Sequence, residues 1–236
     1  MALKIFVIMI LISLLSSGIG GIISCLIKVG NKNVVAALYE FTAGIMTSIV
    51  CFDMLPECFE ISSIFLTIIG VIMGTLVIIY IEEKVSVKKY KKYNRVSLIL
   101  LIAMSFHNFI EGIAIGSSYI YSVVLGTKIL VSMVLHDIPE SMVVGITSKV
   151  DTNRNKETIF NSIVCGIFTG IGALFGYLIG DLNSRYIAIC LSIAAGSMLY
   201  IVSSDLIPNS NKISKNKKVY VVYIVGILIG AIITKI

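Results

Sequence analysis

The chain of 236 residues contains two histidines, and both head the same short pattern. FHNFIEGIAIG (106–116) and LHDIPESMVVG (135–145) each read H-[ND]-x-x-E-x-x-x-x-G, offset by 29 residues. In a helix, residues four apart share one face, about 6 Å apart along the axis. His107 therefore pairs with Glu111 and His136 with Glu140, while Asn108 and Asp137 are each rotated by about 100° on the same turn. Imidazole nitrogen combined with carboxylate oxygen suits Zn²⁺, and also Fe²⁺, Mn²⁺ or Cd²⁺. A cage of oxygen alone would have pointed to Mg²⁺ or Ca²⁺.

The elements that must position these groups are membrane spans. Of the residues, 57% are hydrophobic and 14% charged, Trp is absent and the mean hydropathy is +1.00, outside the range of soluble domains. Crossing the hydrocarbon core takes roughly 20 apolar residues, and eight such runs can be drawn: 4–27, 34–55, 61–82, 96–117, 124–147, 157–180, 185–207 and 218–235. An all-α integral membrane protein with one transmembrane domain is expected. His107 falls 11 residues into the fourth span and His136 12 into the fifth, so antiparallel neighbours would bring both motifs to one depth near the centre.

At that depth an ionisable group costs at least ~2.5–3.5 kcal/mol and is kept only where it is paired, hydrated or functional. With Lys128 counted among the connections, neither span supplies a cation to balance three carboxylates, and a divalent metal is the simplest missing partner. Met46, on another apolar span at similar depth, offers a soft sulfur ligand or plain packing. Pro139 removes the helical bond to the carbonyl of Leu135. A freed carbonyl is tolerated in a bilayer only beside protein, water or a cavity, which suits a helix lining a pathway. Asp53 and Glu57 close the second span and Asp205 the seventh, as possible entrance or exit carboxylates or as helix-end caps.

Of 19 basic residues, 15 lie in the odd-numbered connections and four (Lys4, Lys128, Arg185, Lys235) in the even connections and termini. Lys and Arg stay cytoplasmic, so both termini are expected outside, with VSVKKYKKYN in the 83–95 connection as the main cytoplasmic loop. The net charge of +6 then reflects topology, not nucleic-acid binding. Five cysteines, four of them inside spans, imply no disulfide framework.

The chain also repeats itself at an offset of 152. SGIGGIISCLI (17–27) aligns with TGIGALFGYLI (169–179), and AGIMTSIVCFDMLP (43–56) with AGSMLYIVSSDLIP (195–208), identical at seven of 14 positions. Five spans, an odd number, separate equivalent helices, so the halves must run in opposite senses. Residues 1–82 and 157–236 become inverted halves around a central pair at 96–147, an arrangement typical of transporters with a midplane substrate site. A cleaved signal peptide at the N-terminus would remove one member of the first aligned pair, so span 1 is kept as structure. The glycine clusters 18–21 and 170–172 are expected to allow close helix packing.

HNFIEG, HDIPE, the AGIM opening and DMLPE close of span 2, and eight spans with both termini outside together resemble the ZIP family of divalent-metal transporters, especially its short prokaryotic branch. The resemblance covers essentially the whole chain. It implies a 3+2+3 helix arrangement, movement of metal into the cytoplasm and a metal site, often binuclear, between spans 4 and 5. Carried over by position, the primary site would use His107, His136, Glu140 and Met46, with Glu111 and Asp137 near enough to join or bridge; the secondary site would use Asn108, Asp137 and Glu111. Many prokaryotic relatives place an acidic residue and a proline in span 6 where this chain has Thr169 and Gly170, which removes a carboxylate from the secondary site. In span 5, Glu140 stands where some relatives carry a second histidine, and Ser141 follows it. The expected function is transport of divalent transition metal, zinc first, with iron, manganese and cadmium as alternatives, across the cell membrane. No resident cofactor or catalytic residue is expected. Partners are the metal ion and membrane lipid, and a homodimer is left open. The rivals are an intramembrane metal-dependent hydrolase, since the same ligands can activate water although no H-E-x-x-H occurs, and a proton-coupled carrier of another solute.

Overall fold

The computed structural model describes residues 2–84, 95–179 and 184–234, all of its regular structure helical. In order, the elements are α1 (Ala2–Leu26), α2 (Lys32–Ile49), a π-helical segment (Val50–Met54), α3 (Leu55–Ile61), α4 (Ile64–Lys84), α5 (Arg95–Tyr121), α6 (Val123–Thr152), α7 (Asn155–Ile179), α8 (Ser184–Ile201), a second π-helical segment (Val202–Leu206), α9 (Ile207–Ile213) and α10 (Val219–Ile233). Among the described residues seven helical stretches are long and apolar enough to cross a membrane, with α2–α3 and α8–α9 each counted as one. The protein is thus a multi-pass membrane protein. The eighth run folds as the 15-residue α10, about 22 Å long against the roughly 30 Å of a hydrocarbon core. VSVKKYKKYN, expected to be the main cytoplasmic loop, lies outside the described residues.

Spans 2 and 7 run further than expected, to Ile61 and Ile213, and the reason is local. Pro56 and Pro208 each sit at the start of a short terminal helix, directly after a π-helical segment. A proline ring would clash with the carbonyl four residues back. The wider π turn absorbs that misfit: Leu55 N–H bonds to the carbonyl of Val50 and Ile207 N–H to that of Val202, and the helix continues past the proline. Span 5, expected at 124–147, extends to Thr152 and ends on Asn153, whose φ of 50° is the left-handed C-terminal stop. Ser122 caps its other end by accepting from Leu125 N–H at 3.4 Å.

α5 packs principally against α7, α6 and α8, and α6 against α5, α1, α7 and α2. The central pair therefore has other helices on most of its surface, while Val124 and Val131 of α6 stay exposed. Apolar side chains such as Phe65, Ile72 and Leu76 on α4 and Val221, Ile224 and Leu228 on α10 point out of the bundle, as lipid-facing surfaces do. With lipid outside, burial of apolar area does little to hold helices together; close backbone approach and interhelical hydrogen bonds do. Gly112 and Gly116 on α5 and Gly172 and Gly176 on α7 interlock: a Cβ on Gly112 would lie 2.2 Å from the Thr169 carbonyl oxygen, and one on Gly172 2.1 Å from that of Phe109. Of the two glycine clusters expected to pack closely, Gly20, Gly21, Gly170 and Gly172 do so, whereas Gly18 has open space beside it.

Hydroxyls bind the helices further. Ser13 donates to the Gly166 carbonyl at 2.8 Å, Ser24 to that of Met142 at 2.8 Å and Ser162 to that of Ser141 at 2.8 Å. Lys149 is not only a charge in a connection. Near the end of α6, its ammonium donates to the carbonyls of Cys25 (2.5 Å) and Ile27 (2.9 Å) at the end of α1, where a cation also meets the negative end of the helix dipole.

Candidate metal centre

The two motifs meet between α5 and α6. His107 Nε2 lies 3.7 Å from Glu111 Oε2 and 3.8 Å from Glu140 Oε1, and His136 Nε2 lies 3.0 Å from Glu111 Oε1. That last contact lacks hydrogen-bond alignment. Two overlapping groups result, His107–Glu111–His136 and His136–Asp137–Glu140, each with ligand atoms within 4.8 Å of one another. All five side chains are at most 2% exposed. Yet His107 Nε2, both His136 nitrogens, Glu111 Oε2, Asp137 Oδ1 and both Glu140 oxygens have no hydrogen-bond partner. Buried polar atoms left unpaired are costly, and those gathered in these two groups are of types that could hold a metal ion.

Neighbouring helices fix the orientation of these ligands. His107 Nδ1 lies 3.2 Å from the Ala194 carbonyl and 3.3 Å from Ser197 Oγ on α8. Donation from Nδ1–H to that carbonyl leaves the Nε2 lone pair facing the carboxylates, the outer contact that metal-binding histidines usually have. Asp137 Oδ2 accepts from Ser16 of α1 at 3.0 Å, and the Asp137 carbonyl accepts from Ser141 at 2.6 Å. α6 runs unbroken through Pro139, and the Pro139 carbonyl accepts from Thr42 of α2 at 3.2 Å. Ser16, Thr42, Ala194 and Ser197 were invisible to sequence reasoning because nothing local marks a serine or a carbonyl as facing a site 60 or more residues away.

The other expected residues separate. Asn108 is buried with Oδ1 unpaired, and Thr169 on α7 is likewise buried with Oγ1 unpaired. Met46 is fully buried on α2, in the apolar core together with Met133 of α6. Asp53 and Glu57 line a constricted cavity whose other walls include Lys128, Ser132, Glu111 and His136. Its volume is about 20 Å³, against the roughly 10–15 Å³ that one water needs. Asp205 is not brought into the cluster; its Oδ2 accepts from Ser204 at 3.2 Å within the second π segment.

Lys128 belongs to α6 itself, not to a connection, and its ammonium pairs with Glu57; it is eight residues from His136, about 12 Å along the helix, and leaves the central carboxylates unbalanced. Glu40, which sequence reasoning passed over, is buried on α2 with Oε1 unpaired. An acidic residue inside the 34–55 run was the available signal.

A family model described as "ZIP Zinc transporter" matches residues 81–235, a stretch that contains both motifs. The chain belongs to the ZIP zinc transporter family. Among curated proteins it is similar to the zinc transporter ZupT of Streptococcus mutans, 26% identical over 92% of each chain, and to the zinc transporter ZupT of Chlorobium chlorochromatii, 25% identical over 92% of each. It is also similar to the metal cation symporter ZIP8 of Rattus norvegicus, 26% identical over 55% of this chain and 28% of that one. As a ZIP protein the chain is a divalent-metal transporter and not an enzyme, which removes the intramembrane hydrolase as a rival. The buried His and carboxylate cluster fits that chemistry.

Proposed function

We infer that the chain carries Zn²⁺ across the cell membrane into the cytoplasm through a midplane site built by α5 and α6. The observation that carries this reading is the pair of buried triads sharing His136, with ligand atoms unpaired on every member. His107, Glu111, His136 and Glu140 form the primary site, with Met46 as a further sulfur ligand, and Asn108 and Asp137 form its secondary neighbour. Asp53 and Glu57 receive the ion from outside, and Asp205 serves the inner end. The Zn²⁺ preference follows from imidazole and carboxylate together, with Fe²⁺, Mn²⁺ and Cd²⁺ as competitors of the same chemistry.

The halves 1–82 and 157–236 are read as inverted repeats around the central pair, with both termini outside. Their contacts support this with unusual specificity. Cys58 Sγ donates to the Ala188 carbonyl at 3.5 Å and Ser210 Oγ to the Ala36 carbonyl at 3.1 Å, one contact with its roles exchanged across the 152-residue offset. Similarly, Gly44 abuts the Tyr223 carbonyl and Gly196 that of Val71. Both π-helical segments obey the same offset. Two matched halves around a fixed site are the machinery of alternating access.

The test is initial ⁶⁵Zn²⁺ uptake into proteoliposomes. His107→Ala together with Glu140→Ala is expected to remove uptake at equal protein incorporation; uptake that survives the double substitution would reject the site. Thr169 gives a second check. A neutral hydroxyl stands where many relatives place a carboxylate, so the wild type is expected to hold one tightly bound Zn²⁺, and Thr169→Asp is expected to bring elemental analysis of purified protein towards two. A stoichiometry of two in the wild type would contradict this.

A further inference from the structure

The cavity that reaches Glu111 and His136 has a cation in its wall. Glu57 of α3 is ion-paired with Lys128 of α6, and Asp53 of the first π segment accepts a hydrogen bond from Ser132 of α6. All four residues line the constricted cavity that leads on to Glu111 and His136. Asp53, Lys128 and Ser132 also line the wider cleft beside it, so the lysine stands at the junction of the two. Its side chain is 56% exposed and that of Glu57 only 11%. The carboxylate is thus fixed in the wall while the ammonium reaches it from solvent on a flexible stem.

We propose that Lys128 is a tethered competitor of the incoming metal ion, holding the Asp53–Glu57 mouth closed until a divalent cation displaces its ammonium from Glu57. The proposal rests on the transport reading above and adds a residue that sets apparent affinity. The physical basis is charge. With its ammonium mostly in solvent, the pair is partly screened, so it can be opened. A divalent ion attracts the same carboxylate with twice the charge of an ammonium, and it can also engage Asp53, which accepts from the Ser132 hydroxyl and lies in the field of the same ammonium. Once displaced, the lysine stem swings into the wider cleft, and the path to Glu111 and His136 is free. A purely structural pair would instead tie α3 to α6 and influence folding alone.

These roles separate in the concentration dependence of uptake. Initial ⁶⁵Zn²⁺ uptake is measured in proteoliposomes for the wild type, Lys128→Gln, Glu57→Gln and the double variant, with Lys128→Met as a second substitution that retains the apolar stem. Lys128→Gln and Lys128→Met are expected to lower the apparent KM by roughly three- to tenfold, equivalent to about 0.7–1.4 kcal/mol at 1.4 kcal/mol per decade, with the saturating rate kept or raised. Glu57→Gln is expected to raise KM, and in its background Lys128→Gln should lower it no further, the coupling expected of direct partners. An unchanged or raised KM in both Lys128 variants, with saturable uptake intact, overturns the latch alone. A fall of equal size in the Glu57→Gln background overturns it too, because the lysine would then act elsewhere. Absence of saturable uptake by the wild type overturns the transport reading and the latch with it.

Discussion

Replacing His136 with alanine is expected to remove Zn²⁺ binding almost completely. His136 belongs to both buried triads and sits 3.0 Å from Glu111, so its loss leaves neither group with three ligands. Changing outer-shell partners alone typically costs 10–100-fold in metal affinity, and a shared inner ligand should cost more, on the order of 1,000-fold. The deletion also leaves Glu111, Asp137 and Glu140 facing one another without the imidazole. Isothermal titration with Zn²⁺ in detergent measures the first effect, and thermal unfolding without metal tests the second. Ser197→Ala is the contrasting variant. His107 Nδ1 retains the Ala194 carbonyl at 3.2 Å, so affinity should fall by tenfold or less. An equal loss in the two variants would contradict the role of His136 as the shared ligand, because a hydroxyl beside His107 would then matter as much as the His136 ring itself.

The second large effect is expected far from any ligand, at Gly172→Val. A Cβ there would lie 2.1 Å from the Phe109 carbonyl oxygen and 3.1 Å from Gly112 Cα. These are backbone atoms and cannot rotate away, so α7 must shift off α5, the helix that bears His107 and Glu111. Overpacking typically costs 1–3 kcal/mol and occasionally more; with backbone on both sides, about 3 kcal/mol is expected, together with at least tenfold slower uptake. Gly18→Ala is the control, since nothing lies within 4 Å of a Cβ at Gly18. A melting temperature unchanged by Gly172→Val would show that the glycine interlock does not position the central pair.

The central His and carboxylate cluster was legible because its signal is local. A histidine and a glutamate four residues apart, twice, inside runs too apolar to tolerate them, already specify two faces of two helices and a reason for those faces to meet. The repeat was legible for a similar reason: Ala43, Gly44, Met46, Asp53 and Pro56 survive at Ala195, Gly196, Met198, Asp205 and Pro208. The π segments were not. A proline near a helix end is compatible with stopping the helix or widening the turn before it, and the choice is made by whether the following residues have something to pack against, as Cys58 and Ser210 do across the halves. The orienting shell was hidden because carbonyls such as that of Ala194 carry no sequence identity at all. Lys128 misled for a different reason: a charged side chain near a span end reads as a connection, while its long stem lets the Cα sit within the helix and the ammonium at the edge.

The serines of α1 bear on the order in which the protein can be made. Lys149 and Ile27, which meet in the finished fold, are 122 positions apart; at about 5–20 residues per second of synthesis, α1 waits roughly 6–24 s for the lysine that caps it. Its main neighbours, α6 and α7, emerge equally late. Exposed hydroxyls in lipid during that interval would be costly. Two of them have an acceptor within their own helix, Ser16 Oγ at 3.0 Å from the Ser13 carbonyl and Ser24 Oγ at 2.9 Å from that of Gly20, besides their later partners Asp137 and the Met142 carbonyl. These two hydroxyls can thus stay satisfied while the first helix waits in the bilayer, and be offered to their later partners when the second half of the chain arrives.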